Sequence, residues 1–176
     1  MELLEIEIKA YCEDGTAAET RIMELGGVFI EARREEDIYF NHPCRDFRIT
    51  DEALRLRGVG GSTVLTYKGP KLGGRSKTRV EQEADIPDRA AVKAILTSLG
   101  FVESGRVAKE RKLYHLHDVE ICLDRVEGLG LFIELEKKDT DREKVEAVLF
   151  SLAEELGLTR FERRSYLELI LDAAPL

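Results

Sequence analysis

Glutamates recur two residues apart at three places in the chain, as Glu5 and Glu7, Glu81 and Glu83, and Glu134 and Glu136. In an extended strand, side chains two apart share one face, roughly 6.5–7 Å from each other along the chain. Carboxylates grouped without imidazole or thiolate form an all-oxygen donor set, which suits the hard cations Mg²⁺ or Mn²⁺. Basic residues follow the same alternation. Lys9, Arg55, Arg57, Lys68, Arg79, Lys109 and Arg111 each sit in a segment that alternates charged with aliphatic residues, and Asp124 adds a further acid in the same pattern. Arginine offers bidentate contacts to phosphate oxygens and lysine a point charge. A surface carrying both sets would take a highly charged anion together with metal ions.

The elements that must position these groups are mostly strands. One strand face collects the charges and the other collects Ile, Leu and Val, as in Glu5-Ile6-Glu7-Ile8-Lys9 and Phe132-Ile133-Glu134-Leu135-Glu136. For a single such strand, a charged face turned to bulk water is the ordinary arrangement. Here both signs recur on nearly every strand, about eight strands are available, and amphipathic helices need an apolar surface to cover. The expected fold is α+β: a closed eight-stranded antiparallel β-barrel with an ionised, hydrated lumen and its apolar face outward under helices.

Helices are expected near Gly15 to Gly26, Pro87 to Leu99 and Thr140 to Leu156, with a short last helix or strand near Ser165 to Leu171. In the first, Ala17, Ala18, Ile22, Met23 and Leu25 should face inward; in the second, Ala91, Ile95, Leu96 and Leu99; in the third, Val145, Val148, Leu149, Leu152 and Leu156. An internal repeat is visible. Gly26 precedes Gly100, and Glu36 precedes Glu110, by one common interval, which also lays Glu5-Ile6-Glu7 over Arg79-Val80-Glu81. Two pseudo-symmetric halves are therefore expected within a single domain spanning 1–176. The Val-Gly-Gly-Ser stretch at 59–62 reads as a hairpin turn. The basic segment from Lys68 to Arg79 reads either as a solvated loop or as a mobile lid over an anion site.

Composition limits the functional classes. A net charge of −8 argues against general nucleic-acid binding, though a local basic field can still hold a small anion. Three cysteines without a Cys-x-x-Cys pair give neither a disulfide framework nor a thiolate zinc site. His115 and His117 share a strand face but read as turn or surface residues. No phosphate-binding glycine loop or dinucleotide fingerprint occurs. The acidic N-terminus does not read as a signal peptide, and no apolar run reaches membrane-spanning length, so a cytoplasmic protein without membrane contact is expected.

Taken in order, Glu5-x-Glu7-x-Lys9, Asp37-x-Tyr39-Phe40, Ala53-Leu-Arg55-Leu-Arg57, Leu65-Thr-Tyr-Lys68-Gly-Pro70, Arg79-x-Glu81-x-Glu83, Lys109-x-Arg111, Leu123-Asp124-x-Val126 and Gly130-x-Phe132-x-Glu134-x-Glu136 resemble the CYTH superfamily of triphosphate tunnel metalloenzymes. The Asp37–Arg57 stretch resembles its class IV adenylyl cyclase branch. The resemblance implies a triphosphate substrate bound in a tunnel with Mg²⁺ or Mn²⁺, often in a homodimer. It implies phosphate binding by Lys9, Arg55, Arg57, Lys68, Lys109 and Arg111, and metal binding by Glu5, Glu7, Asp124, Glu134 and Glu136. Glu7, Lys9 and Glu136 would be catalytic, and Arg79, Glu81 and Glu83 are further site candidates. The implied activity is conversion of ATP to cyclic AMP and pyrophosphate. The alternatives are hydrolysis of thiamine triphosphate, inorganic triphosphate or a nucleoside triphosphate, and non-catalytic polyphosphate or nucleotide binding.

Overall fold

The computed structural model describes residues 3–173. In chain order the elements are β1 (Leu4–Tyr11), α1 (Gly15–Glu24), β2 (Val28–Asn41), α2 (Phe47–Thr50), β3 (Ala53–Val59), β4 (Ser62–Lys68), β5 (Lys77–Asp85), α3 (Arg89–Ser98), β6 (Val102–Leu116), β7 (Val119–Val126), β8 (Gly130–Asp139), α4 (Arg142–Glu155) and α5 (Tyr166–Ala173). The eight strands close into one antiparallel barrel in the order β1-β5-β4-β3-β2-β6-β7-β8, with β8 returning to β1.

The repeat seen in the sequence is a symmetry of this topology. Exchanging β1 with β5, β2 with β6, β3 with β7 and β4 with β8 reproduces the strand order read in the opposite direction. Two cross-strand pairs lie on the exchange axis: Glu5 opposite Arg79, and Glu35 opposite Lys109. Both pairs are separated by the Gly26-to-Gly100 interval, as residues on such an axis must be. The helix ends repeat as well. Gly26 and Gly100 each adopt φ 91°, which an L side chain resists, and the following amides close onto Ile22 and Leu96 respectively.

Local chemistry explains the boundaries. Asp14, Asp88 and Asp141 cap α1, α3 and α4 by accepting backbone N–H groups. Pro87 therefore precedes the cap of α3 and lies outside its first turn, and α4 starts after Thr140. Gly60 and Gly61, both at positive φ, make the two-residue turn between β3 and β4. The one-turn helix α2 was not expected. Asp46 caps it, and Asn41 Oδ1 accepts the Phe47 amide.

The apolar outer face of the barrel is covered on two sides. Ile6, Ile8, Ile121, Ile133 and Leu135 pack under α1 and α4, which supply Ile22, Val145, Leu149 and Leu152. Ile38, Phe40, Leu54 and Leu56 pack with α2 and α3 through Phe47 and Leu96. The helical stripes are narrower than expected: Met23, Ile95, Leu99 and Val148 are exposed, because each helix touches the curved barrel along a single line. A third apolar group lies inside the barrel at one end. There α5 brings Tyr166 and Leu169 against Tyr39, Val107, Val126 and Phe132, whose side chains point into the lumen. The segment expected as helix or strand is thus a helix, and it stoppers one mouth.

The basic segment between β4 and β5 is tied down. The Arg75 guanidinium lies 4.1 Å from the centre of the Phe150 ring, Ser76 bonds Glu146, and Arg142 donates to the Leu72 carbonyl. It packs along α4 and does not stand free as a lid. His117 sits at φ 54° in the β6–β7 turn, and His115 is exposed beside Glu120, as expected for turn and surface residues. No helix among the described residues is long and apolar enough to cross a membrane.

Candidate active site in the barrel lumen

Strand alternation turns the charged faces inward, and a cavity of about 460 Å³ occupies the barrel lumen. It is lined by every sequence-predicted site residue except Asp124. Asp124 is also inside the barrel, fully buried behind Arg111. Burying so many charges is tolerable only where they neutralise one another or wait for a ligand. The lumen contains both situations, on opposite walls.

On the β2–β6–β7 wall the charges are matched. Asp124 accepts from Lys109 at 2.9 Å, from Arg111 Nε and Nη2 at 2.7 and 2.6 Å, and from the Tyr166 hydroxyl at 2.9 Å. Arg111 also donates to Glu134 at 2.5 Å. Arg57 grips Asp37 with two bonds of 2.8 and 2.7 Å and reaches Glu35 at 2.8 Å, while Lys109 stands 3.4 Å from Glu35. Burial alone would raise the Glu35 and Glu134 carboxyls, but Lys109, Arg111 and the neighbouring cations hold both well below the usual carboxylate range.

On the β1–β8–β5 wall the match is incomplete. Lys68 holds both oxygens of Glu5 at 2.7 Å and lies 3.3 Å from Glu81, and Lys77 donates to Glu7 at 2.9 Å. Glu136 sits directly opposite both Glu7 and Glu120 in the strand register. Burial, with the carboxylates of Glu5, Glu7 and Glu81 around it, pushes its pKa up to about 8 against the pull of Lys68. Lys9 is the converse case. Its buried ammonium donates to the neutral Arg164 carbonyl and lies 3.9 Å from Glu134, which is already engaged by Arg111. Burial and the nearby Lys77 charge lower its pKa to about 7.

Arg55 faces the same space. Its buried Nε has no partner among the described residues, and the nearest carboxylate oxygens are 3.9 Å away on Asp37 and 4.0 Å away on Glu81. Arg79 is partly engaged elsewhere, donating to the Asp51 and Gly69 carbonyls at 3.1 and 3.2 Å. Glu83 stands at the rim, accepting from Thr66 at 3.1 Å with Lys138 at 3.8 Å.

Among the described residues, no three His, Cys, Asp or Glu side chains stand close enough to hold a metal by themselves. That arrangement fits Mg²⁺ or Mn²⁺ arriving with phosphate, since Mg²⁺ is usually held by one or two carboxylates plus substrate oxygens. Glu136 and Glu81 offer such oxygens to the lumen, and Glu5 and Glu7 present theirs shared with Lys68 and Lys77. The oxygens of Asp124 are already occupied by four donors.

Several lumen residues escaped the sequence reading. Lys77 extends the alternation of Arg79, Glu81 and Glu83 by one step and could have been found that way. Glu35 and Arg33 were masked because Arg33-Arg34-Glu35-Glu36 is charged on both faces, which erases the period-two signal. Tyr166 could not be found, because nothing local marks a helix-starting tyrosine as lumenal.

With this geometry in hand, comparison with known proteins is direct. Residues 3–166 match the CYTH domain. The chain is 42% identical over 172 residues to a protein of Methanocaldococcus jannaschii provisionally named adenylate cyclase MJ0240, covering 95% of this chain and 98% of that one. It is 28% identical over 170 residues to adenylate cyclase CyaB of Aeromonas hydrophila, covering 92% of this chain and 86% of that one. The solved structure of PH1819 from Pyrococcus horikoshii OT3 superimposes with a TM-score of 0.88 at 42% identity, over 97% of this chain and 99% of that one.

Proposed function

The chain belongs to the CYTH family, and we propose that it is a divalent-metal-dependent enzyme that converts ATP into cyclic AMP and pyrophosphate. The observation that carries this reading is the incomplete neutralisation at and beside one wall of the lumen, where Arg55 and Lys9 have no carboxylate oxygen nearer than 3.9 Å and Glu136 is crowded by Glu5, Glu7 and Glu81. A polyanion accompanied by a divalent cation supplies both missing charges at once. The names carried by the archaeal and Aeromonas relatives support the cyclase over other triphosphate chemistry.

The protein's part in the reaction is positioning and charge neutralisation, which is most of what phosphorus transfer requires. Arg55, Lys68, Lys109 and Arg111 orient the phosphate chain, and Lys9 lies in the same lumen. Glu5, Glu7 and Glu136 would hold the metal, which supplies charge stabilisation and acidifies the attacking hydroxyl when bound. With a pKa near neutrality, Lys9 can bind phosphate as an ammonium or accept a proton as an amine. In the cyclase reaction the ribose 3′-hydroxyl attacks the α-phosphorus, its proton leaves, and pyrophosphate departs. No covalent protein nucleophile is used.

The test is a product assay. The protein is incubated with ATP, thiamine triphosphate and inorganic triphosphate, each with Mg²⁺ or Mn²⁺, and the products are separated. Cyclic AMP with pyrophosphate is expected from ATP. Release of inorganic phosphate would replace the cyclase with a triphosphatase, and tight binding without turnover of any substrate would replace it with a receptor.

A further inference from the structure

The segment after α4 completes the barrel wall beside Lys9. β5 pairs with β1 only from Leu4 to Glu7, which leaves one edge of β1 from Ile8 to Tyr11 without a barrel strand. Residues 160–162 fill that gap. Tyr11 N–H donates to the Arg160 carbonyl at 2.9 Å, Ala10 bridges Phe161, and Glu162 N–H donates to the Lys9 carbonyl at 2.8 Å. The chain then turns inward, and Ser165 and Glu168 form a reciprocal capping box. That box starts α5 at Tyr166, fixing where its ring stands.

The ring occupies a particular place among the charges. Lys9 Nζ lies 4.2 Å from its centroid and Lys109 Nζ 5.1 Å, both within the range of cation–π attraction. Its hydroxyl donates to Asp124 at 2.9 Å. Lys9 is thus held between an aromatic face and a backbone carbonyl, neither of which cancels its charge. An ammonium whose one carboxylate neighbour, Glu134, stands 3.9 Å away and is already held by Arg111 keeps much of its attraction for an incoming anion.

We infer that Tyr166 is a positioning residue of the triphosphate site, its ring setting the ammonium groups of Lys9 and Lys109 and its hydroxyl keeping Asp124 committed to Arg111. The inference rests on the triphosphate-binding reading above. It assigns the ring and the hydroxyl separate tasks, so two substitutions separate them. Tyr166→Phe keeps the ring, and Tyr166→Leu removes it.

The experiment measures the affinity of the full-length protein for inorganic triphosphate by calorimetry at pH 6 without divalent ions, alongside thermal unfolding. Tyr166→Leu is expected to weaken binding about tenfold, and Tyr166→Phe to stay within about twofold of the parent chain. Equal weakening in both, or in neither, overturns the role of the ring. A second measurement needs no variant at this position. In the parent chain the ε-methylene protons of Lys9, assigned by their loss in Lys9→Met, should show upfield ring-current shifts in an NMR spectrum. Unshifted signals overturn the inference even if Tyr166→Leu does not fold. If the parent chain binds no triphosphate while those shifts are present, the functional reading fails and the ring contact stands.

Discussion

The two walls of the lumen are built from the same residue types yet do opposite things with them. On the β2–β6–β7 wall, Asp124, Glu35 and Asp37 are each held by cations within 2.9 Å, and the charges cancel locally. On the β1–β8–β5 wall, Glu136 is crowded by acids, while Arg55 on neighbouring β3 has no carboxylate closer than 3.9 Å. A buried ion pair contributes little net stability but costs much when one partner is lost. An unmatched buried charge is costly from the start and is retained where something else neutralises it. The difference therefore separates acids that hold the cations of one wall in place from charges left incompletely paired until a ligand arrives.

That separation is broken most forcefully at Asp124. Asp124→Ala should cost about 3–5 kcal/mol of folding stability, because it leaves Arg111 and Lys109 buried with too few anions. Urea denaturation followed by circular dichroism reads this directly, and a loss below about 1 kcal/mol would dissolve the distinction between the walls. Glu7→Ala is the counterpart on the other wall. It should lower metal-dependent turnover by about 10²-fold, with a smaller effect on the urea midpoint, since Lys77 can relax toward lumen water. If turnover is unchanged, the open wall is not the reactive one.

The arginines on β3 sharpen the comparison at close range. Arg57 is committed to Asp37 and Glu35, whereas Arg55 is not. Arg55→Ala should weaken triphosphate binding by about tenfold, the value of one charge-assisted hydrogen bond at the low end of its range, with little change in stability. Arg57→Ala should show the reverse balance, losing more stability than affinity. Calorimetric titration and urea melts on the same two variants decide it. Equal behaviour would place both arginines in one class.

Much of this was legible before any coordinates. Period-two alternation in Glu5-Ile6-Glu7 and Glu134-Leu135-Glu136 marked the inward face, and the repeat that aligns Gly26 with Gly100 marked the two halves, while the residues that meet on their axis came from the strand register. Pairing inside the lumen was not legible. Which cation neutralises which acid depends on barrel stagger and side-chain reach, so Arg55 and Arg57 look alike in sequence and differ in space. The stopper helix was half visible: Ser165 and Glu168 have capping-box spacing, but nothing in Tyr166-Leu167-Glu168 says that it enters a barrel. The Lys68–Arg79 segment stayed open between loop and lid because its anchors, Glu146 and Phe150, lie far along the chain on α4.

The smallest expected effect is a pH dependence in which Glu136 runs opposite in sign to Glu35 and Glu134. Glu136 is raised to about 8 in the folded protein from an ordinary 4.5. Between those values the folded state keeps a proton that the unfolded chain releases, so this contribution is full below about pH 4.5 and fades as pH rises through 8. Glu35 and Glu134 are depressed, so their contribution is present above the ordinary carboxylate pKa and fades as the solution becomes strongly acidic. Lys9, lowered to about 7, acts mainly above neutrality. Between pH 5 and 7 Glu136 is therefore the group to isolate. One proton would give a slope of about 1.4 kcal/mol per pH unit; lumen water around this half-buried carboxyl should hold it to about 1 or less. Glu136→Gln mimics the protonated form, so it should leave stability at pH 5 nearly unchanged and flatten the slope toward pH 7. Urea midpoints at pH 5, 6 and 7 on both proteins measure it, and an unaltered slope would mean that Glu136 is no more crowded by charge than the acids of the opposite wall.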